Sequence, residues 1–218
     1  MQQLFDGIFS DGKGIYTKNL LPGKRVYGEK LVQEKGTEFR EWNPYRSKYC
    51  AAIKKGLKQS IFSKGAKILY LGSAEGTTIS HVSDIVGKEG EIYGVDLSEI
   101  AMMKLMKLSE ARENIYPILA DANNTKDYTE FLEEKVDAMF QDISQRNQAE
   151  IFLKNACFLK KRGLGALSLK TKSVAQEKQK EEVLAQEKKI LEKEFEVLQV
   201  INLEPYEKEH YLILMRKK

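Results

Sequence analysis

The sequence predicts an α/β protein: a mostly parallel seven-stranded sheet flanked by helices, preceded by a small antiparallel sheet. Three observations carry this. From residue 67 onward, short apolar runs alternate with longer segments of helical period, the pattern of a parallel sheet with helices on both faces. The last two apolar runs, 195–203 and 210–216, are close enough to form an antiparallel hairpin. Before residue 45, Tyr, Phe, Val and Thr are interleaved with polar residues and punctuated by Asp11-Gly12, Pro22-Gly23 and Lys35-Gly36, which read as turns between short strands.

Taken in order, residues 1–44 form the small N-terminal β domain, closed by Pro44, which pushes Asn43 toward extended geometry. Residues 45–218 form the main domain. It opens with a helix over 45–60, where Tyr49, Ile53 and Leu57 share a face. Strands are expected at 67–71, 91–96, 116–120, 136–141 and 164–170. Helices are expected at 77–87, 98–112, 126–134, 147–160 and 176–194. In the last of these, Val183, Leu184, Ile190, Leu191 and Phe195 make an apolar stripe against a solvated Glu/Lys/Gln face. Met102, Met103 and Met106 read as core packing. Lys160-Lys-Arg162 is expected to end a helix, where cations complement the macrodipole.

A chain of 218 residues, 42% hydrophobic and 31% charged, can bury one sizeable core. No apolar run approaches the roughly 18 residues of a membrane span, and Met-Gln-Gln-Leu-Phe-Asp has no signal-peptide character. A cytoplasmic protein without a membrane partner is therefore expected. Cys50 and Cys157 read as buried apolar residues, not a disulfide. Two histidines and two cysteines without chelating spacing predict no metal site. The formal charge of +4 permits a nucleic-acid partner without requiring one.

The most informative stretch is Lys67-Ile-Leu-Tyr-Leu-Gly-Ser-Ala-Glu-Gly-Thr-Thr-Ile79. A strand ends in a glycine-bearing turn and a helix follows, with free N–H groups at its start. The next strand, Glu91-Ile-Tyr-Gly-Val-Asp96, ends in an acid suited to ribose hydroxyls. This is a recipe for an adenosine-containing cofactor. A dinucleotide turn carries a Gly-x-Gly-x-x-Gly pattern, but Gly72-Ser-Ala-Glu-Gly76 lacks the middle glycine and places Glu75 where a pyrophosphate would be repelled. S-adenosylmethionine, with a positive sulfonium and no phosphate, suits the turn better.

Ligands in such sheets bind beyond the carboxyl ends of the strands. There lie Gly72 and Ser73, then Thr77 and Thr78, Asp96 and Leu97, Asp121 and Ala122, Asp142-Ile143-Ser144-Gln145, and Lys170. Three acids after consecutive strands should converge. Lys170 follows an apolar strand, so its stem is expected to be partly buried, and Asp142 ends the neighbouring strand. A lysine near an aspartate, facing a sulfonium, suits methyl transfer to a hydroxyl, with the lysine as base or as an ammonium that steers the oxygen. The plainer alternative is a structural Lys170–Asp142 ion pair.

Glu41-Trp-Asn-Pro-Tyr-Arg-Ser-Lys48, Ile68-Leu-Tyr-Leu-Gly-Ser-Ala-Glu-Gly-Thr-Thr78, Asp121-Ala-Asn123 and Asn147-Gln-Ala-Glu150 together resemble fibrillarin of the archaeal type, over almost the whole chain. The resemblance implies the Rossmann-like S-adenosylmethionine methyltransferase fold. It also implies a 2′-O-methyltransferase acting on ribose in pre-rRNA and tRNA, as catalytic subunit of a box C/D ribonucleoprotein. Its implied partners are a Nop-family scaffold, a kink-turn-binding ribosomal-type protein, a guide RNA and the target RNA. By position it places cofactor contacts on Thr77, Thr78, Asp96, Leu97, Asp121, Ala122 and Asp142 through Gln145, and a catalytic set on Lys48, Asp142, Lys170 and His210. Four departures stand out: Asp96 where the family usually has Glu, Glu75 in place of a small residue, Asp-Ile-Ser-Gln for Asp-Val-Ala-Gln, and an N-terminal sheet that looks short against the family. Protein glutamine methylation and a non-catalytic assembly role are the competing readings of the same fold.

Overall fold

The computed structural model describes residues 1–218. Five short strands come first: β1 (Gln2–Phe5), β2 (Ile8–Ser10), β3 (Ile15–Lys18), β4 (Leu31–Glu34) and β5 (Thr37–Trp42). They form an antiparallel sheet in the order β1-β2-β3-β5-β4. Helix α1 (Lys48–Lys54) follows, with the Ser47 hydroxyl accepting from the Cys50 amide at its N-cap. It is shorter than the expected 45–60, because the chain turns away at Gly56, whose φ of +90° ends the helical path.

The main sheet then builds up through β6 (Lys67–Leu71), α2 (Thr77–Val86), β7 (Glu91–Asp96), α3 (Glu99–Ser109), β8 (Ile115–Leu119), β9 (Val136–Gln141), α4 (Gln148–Asn155), β10 (Leu159–Lys170), α5 (Thr171–Val174), α6 (Lys180–Leu191), β11 (Phe195–Asn202) and β12 (His210–Lys217). The strand order is β11-β12-β10-β9-β6-β7-β8. Strands β10, β9, β6, β7 and β8 run parallel, and β12 is antiparallel to both β10 and β11. The seven expected strands and the closing hairpin are all present.

Period-2 side-chain alternation divides the apolar residues between two cores. Ile68, Tyr70, Ala138 and Phe140 face one core, together with Tyr49, Ile79 and Met102. Leu69, Leu71 and Met139 face the other, together with Phe152, Leu191 and Phe195. The first core also contains Ile8, Ile15 and Trp42 of the N-terminal sheet, so the two sheets share one interior.

Several expectations are corrected. Residues 126–134 are not an α-helix but two 3-10 turns, Thr125–Asp127 and Thr129–Phe131. Tyr128, fully buried between them, donates its hydroxyl hydrogen bond to Asn155 of α4, and that anchor takes the place of a continuous helical ladder. Helix α4 stops at Asn155, so Lys160–Arg162 lie in β10, not at a helix end. The parallel pairing slips there, from Leu159↔Val136 to Leu164↔Ala138, and Arg162 adopts φ +64°. Cys157 is exposed, unlike buried Cys50. Of the three methionines only Met102 is in the core; Met103 and Met106 are exposed on the outer face of α3.

Candidate active site

The order in which strands are added reverses between β6 and β9, which are themselves parallel. From β6 the chain builds outward through β7 and β8, then returns to lay β9 on the other side of β6. Neither following helix covers the carboxyl ends of these two strands, so a crevice opens between them. Gly72, with φ +80°, makes the first turn. A Cβ there would lie 2.4 Å from the Asp142 carbonyl oxygen, so only glycine lets the two strand ends approach this closely.

A cavity of about 160 Å³ occupies the crevice, lined by Gly72, Val95, Asp96, Leu97, Ala120, Ala122, Asp142, Ile143, Ser144 and Gln145. Eight of these are expected cofactor residues; Val95 and Ala120 are additions that give no polar signal in sequence. The remaining four lie around it. Ser73 is buried, with no hydrogen-bond partner for its hydroxyl, and packs toward Gly94. Thr78 Oγ1 donates to Ser47 Oγ at 3.0 Å, tying α2 to the cap of α1. Thr77 opens α2 on the outer side, against a separate cavity that also holds Arg25 and Arg46. Asp121 Oδ1 accepts from the Asn123 backbone and side-chain amides at 2.9 and 3.3 Å.

Asp96 braces both neighbouring turns. Its Oδ2 accepts from the Ala74 amide at 2.8 Å and its Oδ1 from the Ser98 amide at 2.9 Å. Each carboxylate oxygen keeps a further lone pair for a ligand hydroxyl. Glu75 turns outward and pairs with Lys104 at 2.6 Å on the surface of α3, so it stays clear of the cavity. The start of α2 carries no side-chain cap. Apolar walls at Leu97, Ala122 and Ile143, an acid at one end and amides at the other fit an adenosine bearing a positive sulfonium.

Asp142 leads to the candidate catalytic group. Its Oδ2 accepts from Lys48 Nζ at 2.9 Å. Lys48, and not Lys170, is therefore the ion-pair partner of Asp142. Burial works against the Lys48 ammonium, but the charge of Asp142 and its hydrogen bond outweigh it and hold the Lys48 pKa above its ordinary value. Lys170, the last residue of β10, is paired in register with His210, the first residue of β12. Its side chain is half-buried and forms no ion pair. His210 is buried, and burial is the largest influence moving its pKa below the usual histidine value, with the charge of Lys48 acting in the same direction. Its Nδ1 lies 2.8 Å from the Lys208 carbonyl oxygen. A carbonyl only accepts, so Nδ1 carries the hydrogen and Nε2 keeps the lone pair.

Sequence reasoning missed the amides that fix these strand ends. Buried Gln148 accepts from the Lys170 amide at 3.0 Å and donates to the Gln145 and Lys170 carbonyls at 2.9 and 3.1 Å. Asn123 donates to Gln145 Oε1 at 2.5 Å and accepts from Asn147 at 2.8 Å. Their only sequence signal was membership in Asp121-Ala-Asn123 and Asn147-Gln-Ala-Glu150.

The fibrillarin family model matches residues 1–218. The chain belongs to the fibrillarin family. It is 48% identical over 219 residues to a fibrillarin-like rRNA/tRNA 2′-O-methyltransferase of Thermococcus sibiricus, covering 98% of this chain and 96% of that protein. The Pyrococcus furiosus relative of the same description is 46% identical with the same coverage. Among solved structures, Methanococcus jannaschii fibrillarin, a pre-rRNA processing protein, superposes with a TM-score of 0.93 at 40% identity, covering 99% of this chain and 96% of that one. Aeropyrum pernix fibrillarin with natively bound S-adenosyl-L-methionine gives 0.89 at 40% identity, over 98% and 96% of the two chains. Fibrillarin in a fibrillarin/Nop5p complex gives 0.91 at 36% identity, over the full length of both.

Proposed function

We propose that this fibrillarin transfers the methyl group of S-adenosyl-L-methionine to the ribose 2′-hydroxyl of rRNA and tRNA. The observation that carries the reading is the juxtaposition at one sheet edge of the cavity walled by Asp96, Leu97, Ala122 and Ile143 with the Lys48–Asp142 pair, Lys170 and neutral His210. When bound, the cofactor supplies an activated methyl group on a positive sulfonium. The chain's own residues hold the hydroxyl in line and take its proton. Lys48 engages Asp142 Oδ2, leaving Oδ1 to accept that proton. Lys170, without an ionic partner, orients the ribose. His210 stays neutral and adds no second positive charge beside Lys48.

Residues 1–44 form a docking and bracing unit and residues 45–218 the methyltransferase domain. A Nop-family scaffold is the partner supported by the fibrillarin/Nop5p complex of a relative. A kink-turn-binding protein and a box C/D guide RNA complete the assembly, with guide pairing selecting the nucleotide. A modest net charge of +4 suits an enzyme that leaves sequence reading to base pairing.

The experiment is Lys170→Ala in the assembled particle, read by mass spectrometry of nuclease-digested RNA. With the ribose no longer held in line, methylation is expected to fall by about 10²-fold while S-adenosylmethionine binding, followed by calorimetry, is retained. Unchanged methylation removes Lys170 from the role.

A further inference from the structure

We propose that Arg146 is a positioning residue that grips a backbone phosphate of the target strand beside the ribose to be methylated. The proposal rests on the ribose-methylation reading above and adds to it the residue that seats the substrate.

A groove of about 950 Å³ runs along the sheet edge next to the cofactor cavity, and the two share Ser144 and Gln145. The groove opens beside the cofactor cavity at these shared residues, which makes it a path for a substrate strand. Its lining carries four cations, Arg146, Lys170, Lys172 and Lys178, against one acid, Glu177. That excess favours a polyanion. The cations are not equivalent. Lys172 pairs with Glu209 at 3.0 Å, and Lys178 pairs with Glu182 at 3.3 Å. Lys170 belongs to the proposed catalytic group. Arg146 is exposed and makes neither an ion pair nor a side-chain hydrogen bond.

The backbone under Arg146 is pinned on both sides. Gln145 Oε1 accepts from Asn123 at 2.5 Å, and Asn147 donates to the same Asn123 at 2.8 Å. One residue further, Gln148 bonds the Gln145 carbonyl at 2.9 Å. A guanidinium on a fixed loop loses less freedom when it engages a ligand, and its planar fork matches two phosphate oxygens. The loop leads directly into α4, whose buried first turn fixes its far end.

The test uses the assembled particle with a guide and a short target RNA. In Arg146→Ala, the KM for the target is expected to rise about tenfold, with kcat within about twofold and cofactor affinity unchanged. The slope of log(kcat/KM) against log salt should fall by about one phosphate contact. Arg146→Lys keeps the charge and recovers only part of the loss. A second measurement walks a single neutral methylphosphonate through the phosphates flanking the target ribose. The wild-type enzyme should lose affinity at one position, and Arg146→Ala should be indifferent to that same substitution. An unchanged KM and salt slope in Arg146→Ala overturns the proposal, as do identical methylphosphonate profiles in both proteins. A wild-type particle that methylates no ribose removes the functional reading itself. An active wild type with an unaffected Arg146→Ala removes only the phosphate grip.

Discussion

Gly72 shows how much of the site depends on a single backbone atom pair. Its positive φ and the 2.4 Å approach of a built Cβ to the Asp142 carbonyl act together. Gly72→Ala must strain the turn, push the ends of β6 and β9 apart, or both. We predict a loss of about 1–3 kcal/mol in stability, read by chemical denaturation, together with a marked weakening of S-adenosylmethionine binding. An alanine variant with native affinity would show that the strand ends tolerate separation. The neighbouring charged residues follow a similar logic of fixed pairs. Lys48 is a buried-stem cation committed to Asp142, so the sequence expectation that placed Lys170 there failed for a topological reason. Lys48 lies 94 residues from Asp142 along the chain, at the start of a helix outside the β-α alternation, and no local spacing brings the two together.

At the scale of elements, helix α6 illustrates how one element completes another. The start of α4 lacks a side-chain cap from its own sequence. Glu187, on the buried face of α6, accepts from the Ala149 amide at 3.0 Å and caps α4 from across the interface. Burial is the main cause that raises the Glu187 pKa, against the effect of that hydrogen bond. A carboxyl whose folded pKa is raised binds its proton more tightly in the fold than in the unfolded chain. Its contribution is full below the ordinary glutamate range and is lost as pH rises through the folded value. Glu187→Gln keeps the acceptor and removes the charge. It should therefore raise the Tm at pH 7.5, with the gain closing toward pH 4. A lower Tm at pH 7.5 would mean that the ionised carboxylate, through the α4 dipole, is the stabilising form.

The elements also show where sequence was sufficient. Strands β6, β7 and β9 were readable because apolar residues on both faces leave a continuous hydrophobic run, and the glycine-bearing turn and terminal acids stand out against it. The segment 126–134 misled because Tyr128 and Leu132 share the i, i+4 spacing of a helix. The actual constraint is the long-range anchor of the Tyr128 hydroxyl, which leaves no periodic trace. Likewise the exposure of Met103 and Met106 depends on which face of α3 meets the sheet. Three methionines in nine residues cannot specify that.

At the scale of the whole molecule, the two sheets are joined by a buried ionic cluster that nothing in the sequence marks. Arg40 of β5 donates to Glu29 Oε1 at 2.6 Å and to Asp84 Oδ2 of α2 at 2.7 Å. Arg112, after α3, takes the other oxygen of Asp84 at 2.8 Å. His81, one turn before Asp84, bridges Thr17 and Tyr27 of the N-terminal unit at 2.7 and 2.6 Å. Burial first, then the charges of Arg40 and Arg112, hold His81 neutral. Removing Asp84 leaves the buried Arg112 guanidinium without a carboxylate and Arg40 with Glu29 alone. Asp84→Ala should cost about 3–5 kcal/mol by denaturant titration. A cost below about 1 kcal/mol would mean that water or another carboxylate replaces Asp84. The cluster matters for function because it sets the N-terminal sheet against α2, the helix that opens at the cofactor turn.

The proposed reaction delivers a methyl group to a ribose oxygen at the sheet edge. It is tested most directly by giving the assembled particle S-adenosylmethionine with a deuterated methyl group and comparing two targets that differ only at the guided nucleotide, ribose against 2′-deoxyribose. Nucleoside mass spectrometry should place the label on the 2′-oxygen of the ribose target and leave the deoxy target unlabelled. Equal labelling of both, or label on a base or on protein alone, would contradict the account.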